Sequence, residues 1–268
     1  MQTGVLKYEN NTLQVNRLGQ GKQLLFAFHD FGQHAEVFAP LERALGHRYT
    51  IIAIEIPGLG HSIWQQKQVD KLALVTIIER FKLEFKVEKF DLLALGFGAL
   101  YALSLMEQRS EWIEKVVLFA PDGLRRSSWQ SLATRHFYAK GRIKAAIAQP
   151  EKAAQKLKGI RNWGILKKEW TAPLDDYIKN DTVRSSWNQV YPLHYKLVPE
   201  IQKVRWNVKK NKIELHMYCP EHALVLKKDA LKFAKKQDFT VVNLLPEADF
   251  ENIPGLLNLS EAIFNPRQ

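Results

Sequence analysis

The sequence predicts an α/β fold in which a mostly parallel sheet is covered by helices and a helical segment is inserted after the sixth strand. Three observations carry this expectation. Short apolar runs recur without polar alternation, at residues 23–29, 49–56, 90–95 and 115–120. Such runs mark strands buried on both faces. Helical patterns separate them, over residues 35–45, 72–85 and 99–108, so successive parallel strands are joined by right-handed crossovers. The alternation then stops at Pro121-Asp122-Gly123 and resumes only at Ile213.

Taken in order, residues 5–8 and 12–17 are short alternating runs around Glu9-Asn10-Asn11, which reads as a hairpin. The four buried strands and three helices follow. From about residue 125 to residue 208 the pattern is helical and amphipathic, with no buried strand. Five of the seven tryptophans fall there: Trp129, Trp163, Trp170, Trp187 and Trp206. A strand over residues 213–219, a helix over 223–236, a strand over 239–245 and a last helix over 254–264 complete the chain. A helical insert between two strands of one sheet is a cap, so the expected organisation is a core of residues 1–124 and 209–268 carrying a cap of residues 125–208.

Composition narrows the function classes. The single cysteine, Cys219, excludes an intramolecular disulfide and suits a reducing compartment. The first residues lack the basic and apolar stretches of a signal peptide, and no apolar run approaches the ~18 residues of a membrane span. A cytoplasmic protein is the expectation. The net charge of +11 is concentrated: residues 125–212 carry 20 Lys and Arg against 6 Asp and Glu. That excess reads either as a solvated helical surface or as attraction toward an anion, whether a small phosphorylated or carboxylated ligand, an acidic partner or an acidic lipid surface. Basic residues interleave with aromatics, but no DNA- or RNA-binding motif accompanies them, which weighs against nucleic acid. No metal-ligand spacing occurs. Gly96-x-Gly98 and Gly58-x-Gly60 follow strands as a dinucleotide fingerprint would, but Tyr101 and Ile63 stand where its third glycine belongs. No cofactor is expected.

Three sequence tags occur in order. His29-Asp30-Phe31-Gly32 follows the third strand, Ile56-Pro57-Gly58-Leu59-Gly60-His61-Ser62 the fourth, and Ala94-Leu95-Gly96-Phe97-Gly98 ends the fifth. Together they resemble the α/β-hydrolase superfamily, particularly its lid-bearing esterases, C–C hydrolases and haloperoxidase-like proteins. The first tag is similar to the family's His-Gly oxyanion loop, with Asp30 in place of glycine. The second resembles its P-G-x-G-x-S turn, and the third its G-x-S-x-G nucleophile elbow. The resemblance spans essentially the whole chain. It implies a three-layer α/β-hydrolase fold with a lid, and a triad in the order nucleophile, acid, histidine.

The triad positions hold other residues. Acyl transfer needs a nucleophilic side chain, an imidazole to take its proton and a carboxylate to orient that imidazole. By the resemblance, the nucleophile position is Gly96, the acid position falls on His222 beside Glu221, and the histidine position on Asp249. Glycine also relieves the strain that a residue with a Cβ carries at the elbow. The backbone N–H groups of Phe31 and Phe97 occupy the oxyanion-hole positions, able to hold a carboxylate or carbonyl, while their rings could instead fill the cleft.

Other groups stand near these positions. His29 and His61 lie in turn motifs where hydrogen bonding is the usual role, as is a structural role for Ser62. His34 begins a helix and could face the pocket. Cys219 ends a core strand near the acid position, and Asp122 is an alternative acid position in some relatives. Trp129, Trp163 and Trp187 either line a ligand chamber with His29, Asp30 and His34 or pack the cap. The leading expectation is a non-catalytic protein that binds an anionic small molecule or a partner through its cleft and basic cap. The alternative is an atypical esterase-like hydrolase or lyase working through a displaced residue or bound water.

Overall fold

The computed structural model describes residues 1–125 and 192–265, with positions 152, 155 and 190. The chain divides into two compact units, residues 1–125 with 196–268, and residues 126–195. The first unit holds one eight-stranded sheet: β1 (Gln2–Tyr8), β2 (Asn11–Leu18), β3 (Gln23–Phe28), β4 (Tyr49–Ile54), β5 (Phe90–Leu95), β6 (Ile113–Phe119), β7 (Glu214–Pro220) and β8 (Thr240–Leu245), in the order β1-β2-β4-β3-β5-β6-β7-β8. The β1–β2 hairpin joins antiparallel to β4, and every pairing from β4 to β8 is parallel. Seven α-helices among the described residues of this unit flank the sheet: α1 (Pro40–Leu45), α2 (Lys71–Glu84), α3 (Ala99–Gln108), α4 (Ile201–Asn211), α5 (Leu224–Ala234), α6 (Glu247–Glu251) and α7 (Ile253–Phe264).

The apolar runs become a double core because successive residues of a strand face opposite sides. Leu25, Ala27, Ile51, Ala53, Leu93 and Leu95 pack with α1 and α7 on one face. On the other, Phe26 meets Phe81 of α2, and Phe28 stacks on Tyr101 of α3. β4 and β5 are buried at every residue, whereas β1, at the sheet edge, is mostly exposed.

The structure departs from the sequence reading in three places. The helix expected over residues 35–45 is a short 3-10 turn, Ala35–Phe38, followed by α1, because Pro40 has no N–H to continue a helix and instead starts one. The stretch after β8 folds into the short helix α6. And α4, read as the end of the cap, belongs to the sheet-bearing unit. Its buried Val204, Asn207 and Val208 face α3, and Asn207 donates to the Met106 and Glu107 carbonyls at 2.8 and 3.1 Å. Those carbonyls end α3 and lack partners within it. Most of the rest of the expected cap, residues 126–191 apart from positions 152, 155 and 190, lies outside the described residues.

Beneath the sheet, Asp91 at the start of β5 is buried, accepting from the Tyr49 hydroxyl at 2.7 Å and the Lys115 N–H at 2.8 Å. Burial pushes its carboxyl from an ordinary 3.8 to about 6, against the opposing pull of these two hydrogen bonds. The folded state therefore holds the proton more tightly than the unfolded chain. The stability linked to this group is full at low pH and is lost as pH rises through about 6. Asp91→Asn keeps the geometry, since its amide can donate to the Tyr49 oxygen and leave that hydroxyl for the Phe264 carbonyl, already 3.3 Å away. Urea unfolding between acid and neutral pH is expected to show the wild type losing about 2–3 kcal/mol relative to this variant as pH rises. Parallel pH profiles for the two proteins would refute it.

Candidate functional site

β5 ends in a 3-10 turn, Gly96–Gly98, that leads directly into α3, the strand–turn–helix geometry of a nucleophile elbow. Gly96 adopts φ +43°, in the left-handed region that disfavours side chains. Gly98 is required for a different reason: a Cβ there would lie 2.3 Å from the Phe28 carbonyl oxygen. The turn thus brings the N-terminus of α3 against the end of β3.

The space above Gly96 is filled by Asp30. A Cβ on Gly96 would sit 2.1 Å from the Asp30 Cγ and Oδ1. That oxygen accepts hydrogen bonds from the Phe31 and Phe97 N–H groups, both at 2.7 Å. The two amides placed at the oxyanion positions therefore converge on one oxygen, and that oxygen is the protein's own carboxylate. The Asp30 N–H donates to Gln33 Oε1 at 3.0 Å, holding the loop closed. The Phe31 and Phe97 rings pack edge to face, 5.6 Å apart, against each other.

His29 is a strut. It is buried, its Nε2 accepts from the Ile56 N–H at 3.0 Å, and its Nδ1 must then donate to the Asp30 carbonyl at 2.8 Å. Burial lowers its pKa, so the neutral ring with both nitrogens engaged is the stable form. Glu55, 1% exposed, accepts from the Ala35 N–H and pairs with His34 Nδ1, both at 2.7 Å. Room for this pair comes from the second glycine of the P-G-x-G turn: a Cβ on Gly60, at φ +63°, would lie 1.7 Å from Glu55 Oε1. The His34 side chain is 55% exposed, and its ring stacks on that of His61. Ser62 donates to the Glu55 carbonyl and accepts from the Gln14 N–H, a structural use of its hydroxyl.

The remaining expected site residues fall elsewhere. His222, after β7, and Asp249, in α6, are exposed, and neither side chain has a hydrogen-bond or ion-pair partner among the described residues. The Asp122 N–H donates to the Gly96 carbonyl at 3.0 Å, so this residue borders the elbow. Burial raises the Cys219 thiol to about 11, which keeps it protonated. Trp129, Trp163 and Trp187 lie outside the described residues. Among those described, no group of three metal-ligating side chains gathers, and no helix is long and apolar enough to cross a membrane. Two features escaped the sequence reading: that Asp30 fills the gap over Gly96, and that Glu55 anchors His34. The first was signalled by a gained carboxylate and a lost side chain in two adjacent motifs. The second was signalled by one acid inside the apolar run Ile54-Glu55-Ile56.

No protein-family model and no curated protein matches the chain. Solved structures do. An esterase from Thermogutta terrifontis superposes with a TM-score of 0.65 at 11% identity, over 98% of this chain and 97% of that one. A serine hydrolase from Cycloclasticus zankles gives 0.62 at 13%, over 98% of both chains. A meta-cleavage product hydrolase from Pseudomonas fluorescens gives 0.60 at 16%, over 98% of this chain and 97% of that one. These likenesses establish the fold.

The Asp30–Gly96 contact predicts a specific coupling. Gly96→Ser is expected to destabilise the protein by about 3 kcal/mol, from overpacking against Asp30 and from the left-handed backbone. Asp30→Gly leaves two amides without their acceptor and is expected to cost about 2 kcal/mol. The double variant should cost at least about 1 kcal/mol less than the sum, measured by chemical unfolding. Strict additivity would mean that the two side chains do not compete for one space.

Proposed function

Proceeding from the α/β-hydrolase fold, which this chain adopts, we propose that it is a non-catalytic protein of that fold, acting by binding an anionic molecule. The observation that carries this reading is the Asp30 carboxylate over Gly96, hydrogen-bonded to the N–H groups of Phe31 and Phe97. An oxyanion hole works because its donors are aimed at charge that appears only in the transition state. Donors already satisfied by a full negative charge in the resting protein have nothing left to stabilise. Glycine at the elbow supplies no nucleophile, and the exposed His222 and Asp249 supply no relay. The same carboxylate repels an anion from the elbow, so the binding role falls to the positive charge of residues 125–212.

One arrangement favours a second reading, an atypical hydrolase using bound water. Buried Glu55 orients exposed His34 through Nδ1, which leaves Nε2 as the candidate base, oriented as the carboxylate of a triad orients its histidine.

The two are separated by incubating wild-type protein with a fluorophosphonate probe and with a panel of aryl esters, beside the His34→Gln variant. No adduct by intact mass and no hydrolysis above buffer are expected. Turnover lost in His34→Gln would overturn the non-catalytic reading in favour of the second. A stoichiometric adduct would overturn both, and mapping it would name the nucleophile.

A further inference from the structure

The positive charge of the sheet-bearing unit gathers on two neighbouring helices that are distant in sequence. α4 and α5, each with the one or two residues that follow it, hold ten Lys and Arg in residues 201–212 and 224–236 against one acid, Asp229. Asp229 is itself ringed by Lys228, Lys232 and Arg125. The two helices are linked through Arg205 of α4, which donates to the Phe233 and Lys235 carbonyls at the end of α5, at 2.9 and 2.6 Å. Eight of the nine lysines are exposed. Among them stand large apolar side chains that face solvent: Trp206 at 60%, Leu224 at 59% and Leu231 at 48% exposure. The Lys210 ammonium lies over the Trp206 ring, 4.8 Å from its centre.

We propose that the α4–α5 face docks on an anionic lipid surface. Lysine clusters are drawn to the diffuse negative potential of acidic headgroups, while tryptophan settles at headgroup level and leucine just below it. The other polyanionic partners fit less well. Protein interfaces are depleted of lysine. Nucleic acids are read largely through arginine forks, and the one arginine here is committed to the α5 carbonyls. Leucines exposed beside lysines have no role against phosphate or base. The inference rests on charge and exposed apolar surface and not on the loss of catalysis, so ester hydrolysis by this protein would sink the preceding reading and leave this one standing.

The test is co-sedimentation of the full chain with vesicles of phosphatidylserine and phosphatidylcholine mixed one to two, beside vesicles of phosphatidylcholine alone. Binding to the first and not the second is expected. Replacing Lys209, Lys210, Lys232 and Lys235 by glutamine should weaken it by about tenfold or more, and Trp206→Ala should weaken it severalfold with an unchanged melting temperature. A control removes charge while easing the fold. Lys212 and Lys236 sit at φ 54° and 64°, where glycine is at ease, so Lys212→Gly with Lys236→Gly should lose affinity without losing stability. No partition into acidic vesicles at low salt would overturn the proposal, as would partition indifferent to the four glutamines. Tighter binding to duplex DNA, insensitive to Trp206→Ala, would overturn it in favour of nucleic acid.

Discussion

One carboxylate organises the C-terminal edge of this sheet. Asp30 leaves the end of β3 and reaches over Gly96 to accept from the first amides of the elbow and from its own loop. Charge-assisted hydrogen bonds of this kind contribute about 1.5–3 kcal/mol, and the positive end of α3 adds to the attraction. The contact exists only because position 96 has no side chain, and it closes the site that the same backbone would otherwise offer to a substrate. Absence of a serine and presence of an aspartate are therefore a single structural fact. Either residue alone would leave a clash or an empty pair of donors.

The neighbouring loop is fixed by the same logic, with a carboxylate held by amides and a glycine making room. Glu55, at the end of β4, binds the Ala35 N–H and His34, and Gly60 leaves the space in which they meet. His29 ties the two systems together, one ring nitrogen on the Asp30 carbonyl and the other on the Ile56 amide. The three loops at this edge thus satisfy each other's polar groups. Buried polar groups must find partners somewhere, and at this edge Asp30, His29 and Glu55 find them in one another's loops.

Legibility in the sequence followed the range of the interaction. β3 through β6 were readable because a strand buried on both faces must be apolar at nearly every position, a local property. The elbow was readable because Gly98 is a backbone requirement, with no room for a Cβ beside the Phe28 carbonyl, and Gly96 relieves a left-handed turn. Pro40 was visible, yet its effect on the helix around it was underweighted. α4 falls within the expected cap because it continues the strand-free helical pattern up to β7, whereas packing is decided by Val204, Asn207 and Val208 against α3. The Asp30–Gly96 pair is 66 residues apart in the chain, and residue types alone do not say which way a carboxylate turns.

The same limit hid the arrangement of charge. Counted along the chain, the positive excess ends at residue 212 and the following segment looks balanced. The fold undoes that division. β7 is a core strand, and Arg205 links the helices before and after it, so the lysines of α5 join those of α4. At the C-terminal edge of the sheet the sign is reversed, with the Asp30 carboxylate over the elbow. Such a distribution places the more favourable potential for an anion on the helical flank and the less favourable one at the elbow. In an esterase of this fold the opposite arrangement is required, because negative charge must develop at the elbow during the reaction. The electrostatics of the whole unit thus argue in the same direction as the missing serine, and they do so from residues outside the triad.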